Sequence, residues 1–442
     1  ALQIISVLLA IHIYNEPGEL SYKLIWFILL LLAPPVGMIL WFLWGGAAQK
    51  RHLPQNTKRF PDEPESVRMR SEIAVDKLTR QLPTANYLCR RDFQLYQNTS
   101  VTYLPEGAIL LRNLIDRAAK AERFIFLEYF ILAEGKLWDE LEKILCAKVR
   151  EGVEVKIIFD DFGNIKRFSG ETIDRLREVG VEVFIFNPVH EYVNRLHFNY
   201  RDHRKIACID GDVAYTGGVN IADEYANLIE RFGYWKDSGV CLEGEGAWGL
   251  TASFIRMCVN LGGVMHNEHD YYRPHTPVKS EGFCQPFTDG PQNNPDNPAE
   301  DVFLQMISGA RRFLYITTPY FIPDESLMRA LCIAGDGDVD VRLMLPGKPD
   351  HWYADCVAES YFGELIKHGV KVYRYIPGFL HGKTIMVDRE AAFVGSANMD
   401  YRSFELDYEC GVMVYSAPMI ESLLEDMDLI VEQSHLVTAE EW

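Results

Sequence analysis

Downstream of an apolar N-terminal region the chain reads twice, and that duplication restricts it to folds built from two like halves. AERFIFLEYFI (121–131) resembles ARRFLYITTPYFI (310–322), GVEVKIIFDD (152–161) resembles DVDVRLMLPG (338–347), and GVEVFIFNP (180–188) resembles GVKVYRYIP (369–377). HRKIACIDGDVAYTGGVN (203–220) returns as HGKTIMVDREAAFVGSAN (381–398) at a constant offset of 178 residues. The upstream pairs lie further apart, because the first copy carries about eleven extra residues, HEYVNRLHFNY, before its His motif. A constant offset across a whole block is the mark of an internal repeat.

Each copy alternates short β-rich runs with amphipathic helical stretches. IFLEYFI leads to LWDELEKILCAKVREG and then to VEVKIIFD. This rhythm predicts an α/β fold with a mixed or parallel sheet and helices on its faces. Gly152, Gly180 and Gly369 precede strands and read as helix C-caps. The expected organisation is an N-terminal hairpin (1–46), a basic membrane-proximal linker (47–95), a first half (96–273), a Pro/Asn/Gly-rich linker (274–299) and a second half (300–442).

Residues 22–44, YKLIWFILLLLAPPVGMILWFLW, are almost wholly apolar. As one helix they would reach about 34 Å, against a hydrocarbon core of about 30 Å. Aromatic residues at both ends resemble interface belts, and Pro34-Pro35 should kink the helix. Residues 1–13 are apolar but too short to span, which suggests a trimmed first helix of a transmembrane hairpin. Lys50, Arg51, Lys58 and Arg59 follow the span, so the long C-terminal part should face the cytoplasm. Arg68, Arg70, Lys77 and Arg80 continue the basic run and are placed to hold anionic headgroups, or simply to solvate a linker.

The chemistry sits in the repeated block. Strand side chains alternate faces, so His203 and Lys205 point the same way while Asp210, seven residues on, points the other. His381, Lys383 and Asp388 repeat the pattern. His and Lys can meet a substrate together, and the Asp braces the structure from behind. Gly217-Gly218 and Gly395-Ser396 then let backbone approach a ligand, and Asn220 and Asn398 add amide donors. One H-x-K on a strand is ordinary surface decoration. Two at one offset, each followed by Gly and Asn, suit a phosphodiester. Lysines and amides neutralise non-bridging oxygens, one imidazole attacks phosphorus, and the other moves the proton of the alcohol. No metal or other cofactor enters this chemistry.

The doubled H-x-K-x4-D with G-G/S-x-N resembles the signature of the phospholipase D superfamily. TPYFIPD (318–324), the HRK and HGK forms and the hydrophobic N-terminus look like bacterial cardiolipin synthases, and the likeness covers essentially the whole chain. It implies two pseudo-symmetric phospholipase D-type βαβ sandwich halves with the site at their interface. It implies His203 as nucleophile and His381 as general acid/base. It also implies a carboxylate that orients a catalytic His: Glu409, 28 residues after His381, and more weakly Asp237, 34 after His203. The implied reaction joins two phosphatidylglycerols and releases glycerol, at the inner (plasma) membrane. The same motifs would serve a phospholipase D hydrolase or a phosphatidylserine synthase, since only the acceptor pocket differs.

Composition excludes other classes. The net charge is −19, which argues against a nucleic-acid partner and for membrane lipids only where local basic residues oppose the global field. Nine cysteines with no C-x-x-C spacing read as reduced thiols. His266, His269 and Asp270 could bind a metal, though nothing else in the sequence supports it, and Tyr320-Phe321 reads as core. Glu128 should line the site from one side only, and Arg402 either adds charge to the site or pairs with Glu405. A homo-oligomer is compatible with all of this.

Overall fold

The computed structural model describes residues 2–16, 20–44, 78, 80–189, 199–266, 269–276, 278–293 and 296–441. The duplication is present strand for strand. The first half contains β1 (Thr99–Leu104), β2 (Phe124–Tyr129), β3 (Glu154–Asp160), β4 (Glu182–Phe186), β5 (Lys205–Ile209), β6 (Val213–Gly217) and β7 (Gly239–Gly244). They form one sheet in the order β1-β7-β6-β5-β2-β3-β4. The second half contains β8 (Phe283–Asp289), β9 (Phe313–Thr317), β10 (Asp340–Pro346), β11 (Lys371–Tyr375), β12 (Thr384–Val387), β13 (Ala391–Gly395), β14 (Asp407–Tyr415) and β15 (Ser434–Leu436). Their order, β8-β14-β13-β12-β9-β10-β11, is the same order again, with β15 added at the edge.

Both sheets are mixed, one of the two arrangements that the βαβ rhythm allows. β2, β3 and β4 run parallel, and so do β9, β10 and β11; the other neighbours are antiparallel. The central strands are continuous apolar runs because helices cover both faces; every residue of β2, β5 and β12 is buried. The helix Lys136–Arg150 buries Leu137, Trp138, Leu141 and Leu145 along one stripe. It ends, as expected, before Gly152 at φ +91°, and Gly180 and Gly369 close helices in the same way.

Three apolar clusters hold the halves. One fills the outer layer of each half, and the third is shared, joining Phe126, Phe254 and Cys208 of the first half to Met386, Val412 and Met427 of the second. Phe254 stacks on Phe126 at 4.5 Å. Removing such a ring would cost about 3–5 kcal/mol.

Two expected boundaries move. Residues 274–299, read as a linker, contain β8, which pairs with β14 from Phe283↔Tyr415 to Asp289↔Glu409. Pro286 is tolerated there because β8 is an edge strand, and that Pro is part of what made the stretch read as a linker. The expected linker 47–95 ends in the helix Leu82–Arg90, whose Ala85 and Leu88 enter the second half's core. The basic residues from Lys50 to Lys77 lie outside the described residues.

The span expected over residues 22–44 is divided. α1 (Leu2–Asn15) is followed by α2 (Leu20–Leu32) and α3 (Pro34–Trp44). Pro34 and Pro35 offer no N–H to the preceding turn, so one helix ends and another begins there. Among the described residues no helix is long and apolar enough to cross a membrane.

Candidate active site

Each His-Lys motif enters the site through a strand exchange with the other half. Arg201–Asp202 pairs in parallel with Asp407–Tyr408 of β14, and Gly378–Leu380 pairs in parallel with Tyr234–Lys236. The ladders end on the functional residues: His203 N–H donates to the Tyr408 carbonyl at 2.9 Å, and His381 N–H to the Lys236 carbonyl at 2.7 Å. The next residues of the two partner strands are Glu409 and Asp237. The exchange therefore sets each histidine beside the carboxylate of the opposite half.

The side chains complete that pairing. His203 Nδ1 lies 2.9 Å from Glu409 Oε1, and His381 Nδ1 lies 2.6 Å from Asp237 Oδ2. Each imidazole thus has Nδ1 committed to a carboxylate, which leaves Nε2 for chemistry. Lys383 Nζ donates to the His381 carbonyl at 2.7 Å and lies 3.0 Å from its ring nitrogens; Lys205 Nζ donates to the His203 carbonyl. Phe130 meets the His203 ring edge-on at 5.1 Å, while Tyr225, Trp235 and Phe379 wall His381 at 5.4–5.5 Å. Glu409 is further fixed by Ser396 Oγ and by Ser403 Oγ at 2.8 Å. Ser403 escaped the sequence reading, since nothing in the repeat marks it.

Burial sets the electrostatics. It drives the His203 imidazole well below its ordinary range, and the charges of Lys205 and Lys383 add to the push. Burial, then Lys383, lowers His381 to about 4 against the pull of Asp237. Burial also lowers Lys205 to about 8 and Lys383 to about 7, and raises Glu409 to about 7 against the attraction of Lys205. Both histidines and both lysines respond to one another's charge, so they converge on one site. These shifts leave neutral imidazoles beside weakly held lysine protons, an arrangement that an entering phosphodiester anion would re-protonate.

The other candidates divide. Asp210 accepts from the N–H groups of Glu122 (2.9 Å), Arg123 (2.6 Å) and Phe124 (2.9 Å). Asp388 does the same for Arg311 (3.0 Å), Arg312 (2.8 Å) and Phe313 (3.0 Å). Both therefore clamp the entry to the neighbouring strand, the bracing role that side-chain alternation predicts. Asn220 is occupied: Oδ1 accepts from Ile131 N–H at 3.0 Å and Nδ2 donates to Tyr225 at 2.8 Å. Asn398 is buried with Oδ1 unpartnered. Ser396 and Gly218, expected against a ligand, instead serve the carboxylates. Ser396 holds Glu409, and a Cβ on Gly218 would lie 2.2 Å from Asp237 Oδ1.

Glu128 does not line the site, because it is buried against Arg204, which also bonds Asp202 at 2.9 Å. Arg402 pairs with Asp407 at 3.4 Å, and Glu405 accepts from Asn297. Of the metal candidate, His266 Nε2 lies 3.8 Å from Glu154 and its ring packs on Tyr271 at 4.8 Å, and the His269 side chain lies outside the described residues. His203, Asp407 and Glu409 could together meet a cation, but hydrogen bonds to Ser396 and Ser403 already occupy Glu409, and Arg402 faces Asp407. All nine cysteines are free thiols.

Comparison with known proteins agrees with this geometry. The family model described as cardiolipin synthase, phospholipase D-like domain matches residues 111–230 and again 303–430, one match to each half. The chain belongs to this family. The model described as phospholipase D-nuclease N-terminal matches residues 4–46. The major cardiolipin synthase of Bacillus subtilis (strain 168) is 34% identical over 97% of this chain and 92% of its own length. A cardiolipin synthase of Halalkalibacterium halodurans is 33% identical over 99% of this chain and 88% of its own. The phosphatidylserine synthase of Haemophilus influenzae superposes with a TM-score of 0.61 at 14% identity, covering 81% of this chain and 92% of that one, which is a likeness of fold. Within the cardiolipin synthase family, then, this chain carries both motifs intact and both carboxylates in bonding contact with the opposite half.

Proposed function

We propose that the protein is a cardiolipin synthase. His203 Nε2 attacks the phosphorus of one phosphatidylglycerol, forming a P–N bond. The P–O bond to the headgroup breaks, and the departing glycerol takes a proton from protonated His381. A second phosphatidylglycerol then enters, and neutral His381 removes the proton of its headgroup hydroxyl. That oxygen attacks phosphorus, the P–N bond breaks, and cardiolipin leaves with His203 restored. Lys205 and Lys383 oppose the charge on the non-bridging oxygens, and Asn398 faces the substrate from the second half. One phosphodiester replaces another, so no nucleotide is required.

The observation that carries this reading is the pair of cross-braced imidazoles with their lysines, in a chain about one-third identical end to end to cardiolipin synthases. We place the apolar N-terminal unit in the inner (plasma) membrane and the two halves on its cytoplasmic side, where free thiols are stable and the basic run after residue 49 belongs.

The test is reconstitution with phosphatidylglycerol alone, without nucleotide, with lipids identified by mass spectrometry beside His203→Ala. Cardiolipin and glycerol from the wild type only are expected. Phosphatidic acid in their place would make water the acceptor and the protein a hydrolase.

A further inference from the structure

In one continuous helix Trp26 and Trp41 would be separated by about 22 Å along the axis. Their rings instead meet edge to face at 5.0 Å. Gly37 lies so close to α2 that a Cβ there would sit 2.8 Å from the Leu29 carbonyl group. α2 and α3 are thus the antiparallel arms of a hairpin, and Ala33-Pro34-Pro35 is its tip. Ile13, Trp26, Leu30 and Trp41 form the small core beneath.

α1 runs antiparallel along α2. Ser6 Oγ donates to the Leu30 carbonyl at 2.5 Å, and Lys23 Nζ donates to the Glu16 carbonyl at 2.5 Å at the other end. The Ser6 bond has a specific use. Leu30 is the residue whose carbonyl would take the N–H of residue 34, and a proline there has none to give. In hydrocarbon a freed backbone carbonyl must be met from within the protein, and Ser6, itself 2% exposed, meets it.

Polarity is distributed along the hairpin, not around it. His12, Glu16 and Lys23 lie at the end where α1 passes to α2, which is also the end where α3 finishes. Around the tip the exposed side chains include Leu2, Ile4, Ile5, Leu31, Leu32 and Val36, with Leu32 at 82%. The arms extend about 20 Å and 16 Å, well short of a core of about 30 Å.

We propose that residues 20–44 enter and leave the bilayer through one face, as a wedge whose apolar tip is surrounded by the acyl chains of that leaflet, with Glu16 and Trp44 on the same side. This rests on the membrane placement proposed above and changes its topology: the segment is a re-entrant hairpin, not a span.

Asn15→Cys and Ala47→Cys variants, expressed in sealed vesicles of known orientation, test it. A membrane-impermeant maleimide is applied from each face in turn, and modification is read by mass spectrometry on the N-terminal peptide. Modification of both positions from the same face only is expected. Doubling the variants with Pro34→Ala and Pro35→Ala should restore one long helix and move Asn15→Cys to the opposite face. If Asn15→Cys and Ala47→Cys already label from opposite faces without those changes, the segment spans and the proposal is overturned while the membrane placement stands. If carbonate washing strips the protein from the vesicles, both are overturned.

Discussion

At the scale of single residues, the roles divide by what each side chain touches. Glu409 and Asp237 touch imidazole nitrogens across the interface, so removing their charge should impair chemistry while leaving the fold intact. Glu409→Gln should lower kcat about 10²–10⁴-fold with little change in melting temperature, measured on purified protein with phosphatidylglycerol vesicles. A loss of less than about threefold would remove Glu409 from the machinery. The lysines set the pH dependence. Lys383, lowered to about 7 and Lys205 to about 8, carry charge only below those values, so the empty enzyme loses its anion-binding charge as pH rises through them. The profile of kcat/KM should therefore fall from about pH 7 upward, and that of kcat at higher pH, because bound phosphate retains the proton. A kcat/KM flat to about pH 9 would contradict this. Which carboxylate serves which histidine was not legible in the sequence. Glu409 follows the second motif and Asp237 the first, yet each bonds the other half's ring, and chain order carries no record of a strand exchange.

At the scale of elements, the repeat was enough to name β2 to β6 and β9 to β13, to expect a mixed or parallel pairing, and to divide each motif by strand parity. Asp388 shows that parity at work: its oxygens clamp the start of β9 by three N–H bonds instead of meeting substrate. Asp388→Ala should cost about 1–3 kcal/mol of stability, seen as a lower denaturation midpoint, while the folded fraction keeps near-normal kcat. Gly218 behaves oppositely. A methyl there would collide with Asp237 and reach within 3.0 Å of the His381 carbonyl. Gly218→Ala should drop kcat about 10²-fold through a displaced His381. What sequence did not disclose were the elements whose composition contradicts their place. β8 carries Pro and polar residues because it is an edge strand, and the apolar run 22–44 folds back because two prolines end α2. In each case tertiary placement overrides local composition.

At the scale of the whole molecule, the protein carries a net charge of −19 yet is assigned a substrate in an anionic surface. Repulsion of that kind acts over about 30 Å in 0.01 M salt but only about 8 Å at 0.15 M. An anchored domain therefore stands within reach of it at low ionic strength and largely outside it at physiological strength. Residues 47–80 oppose the trend with eight basic against five acidic side chains, next in sequence to the apolar unit. Cations close to an anionic surface are attracted to it. Replacing those eight by Gln should thus raise KM for phosphatidylglycerol vesicles severalfold at 0.01 M salt, with kcat unchanged because none of the eight belongs to the His-Lys motifs. The difference from wild type should shrink as salt is raised, since screening weakens the lost attraction and the remaining repulsion together. Salt titration of KM for both proteins reads this directly. A gap that persists at high salt would mean the substitutions damaged folding, and no gap at any salt would mean that the apolar unit alone holds the acidic halves to their substrate.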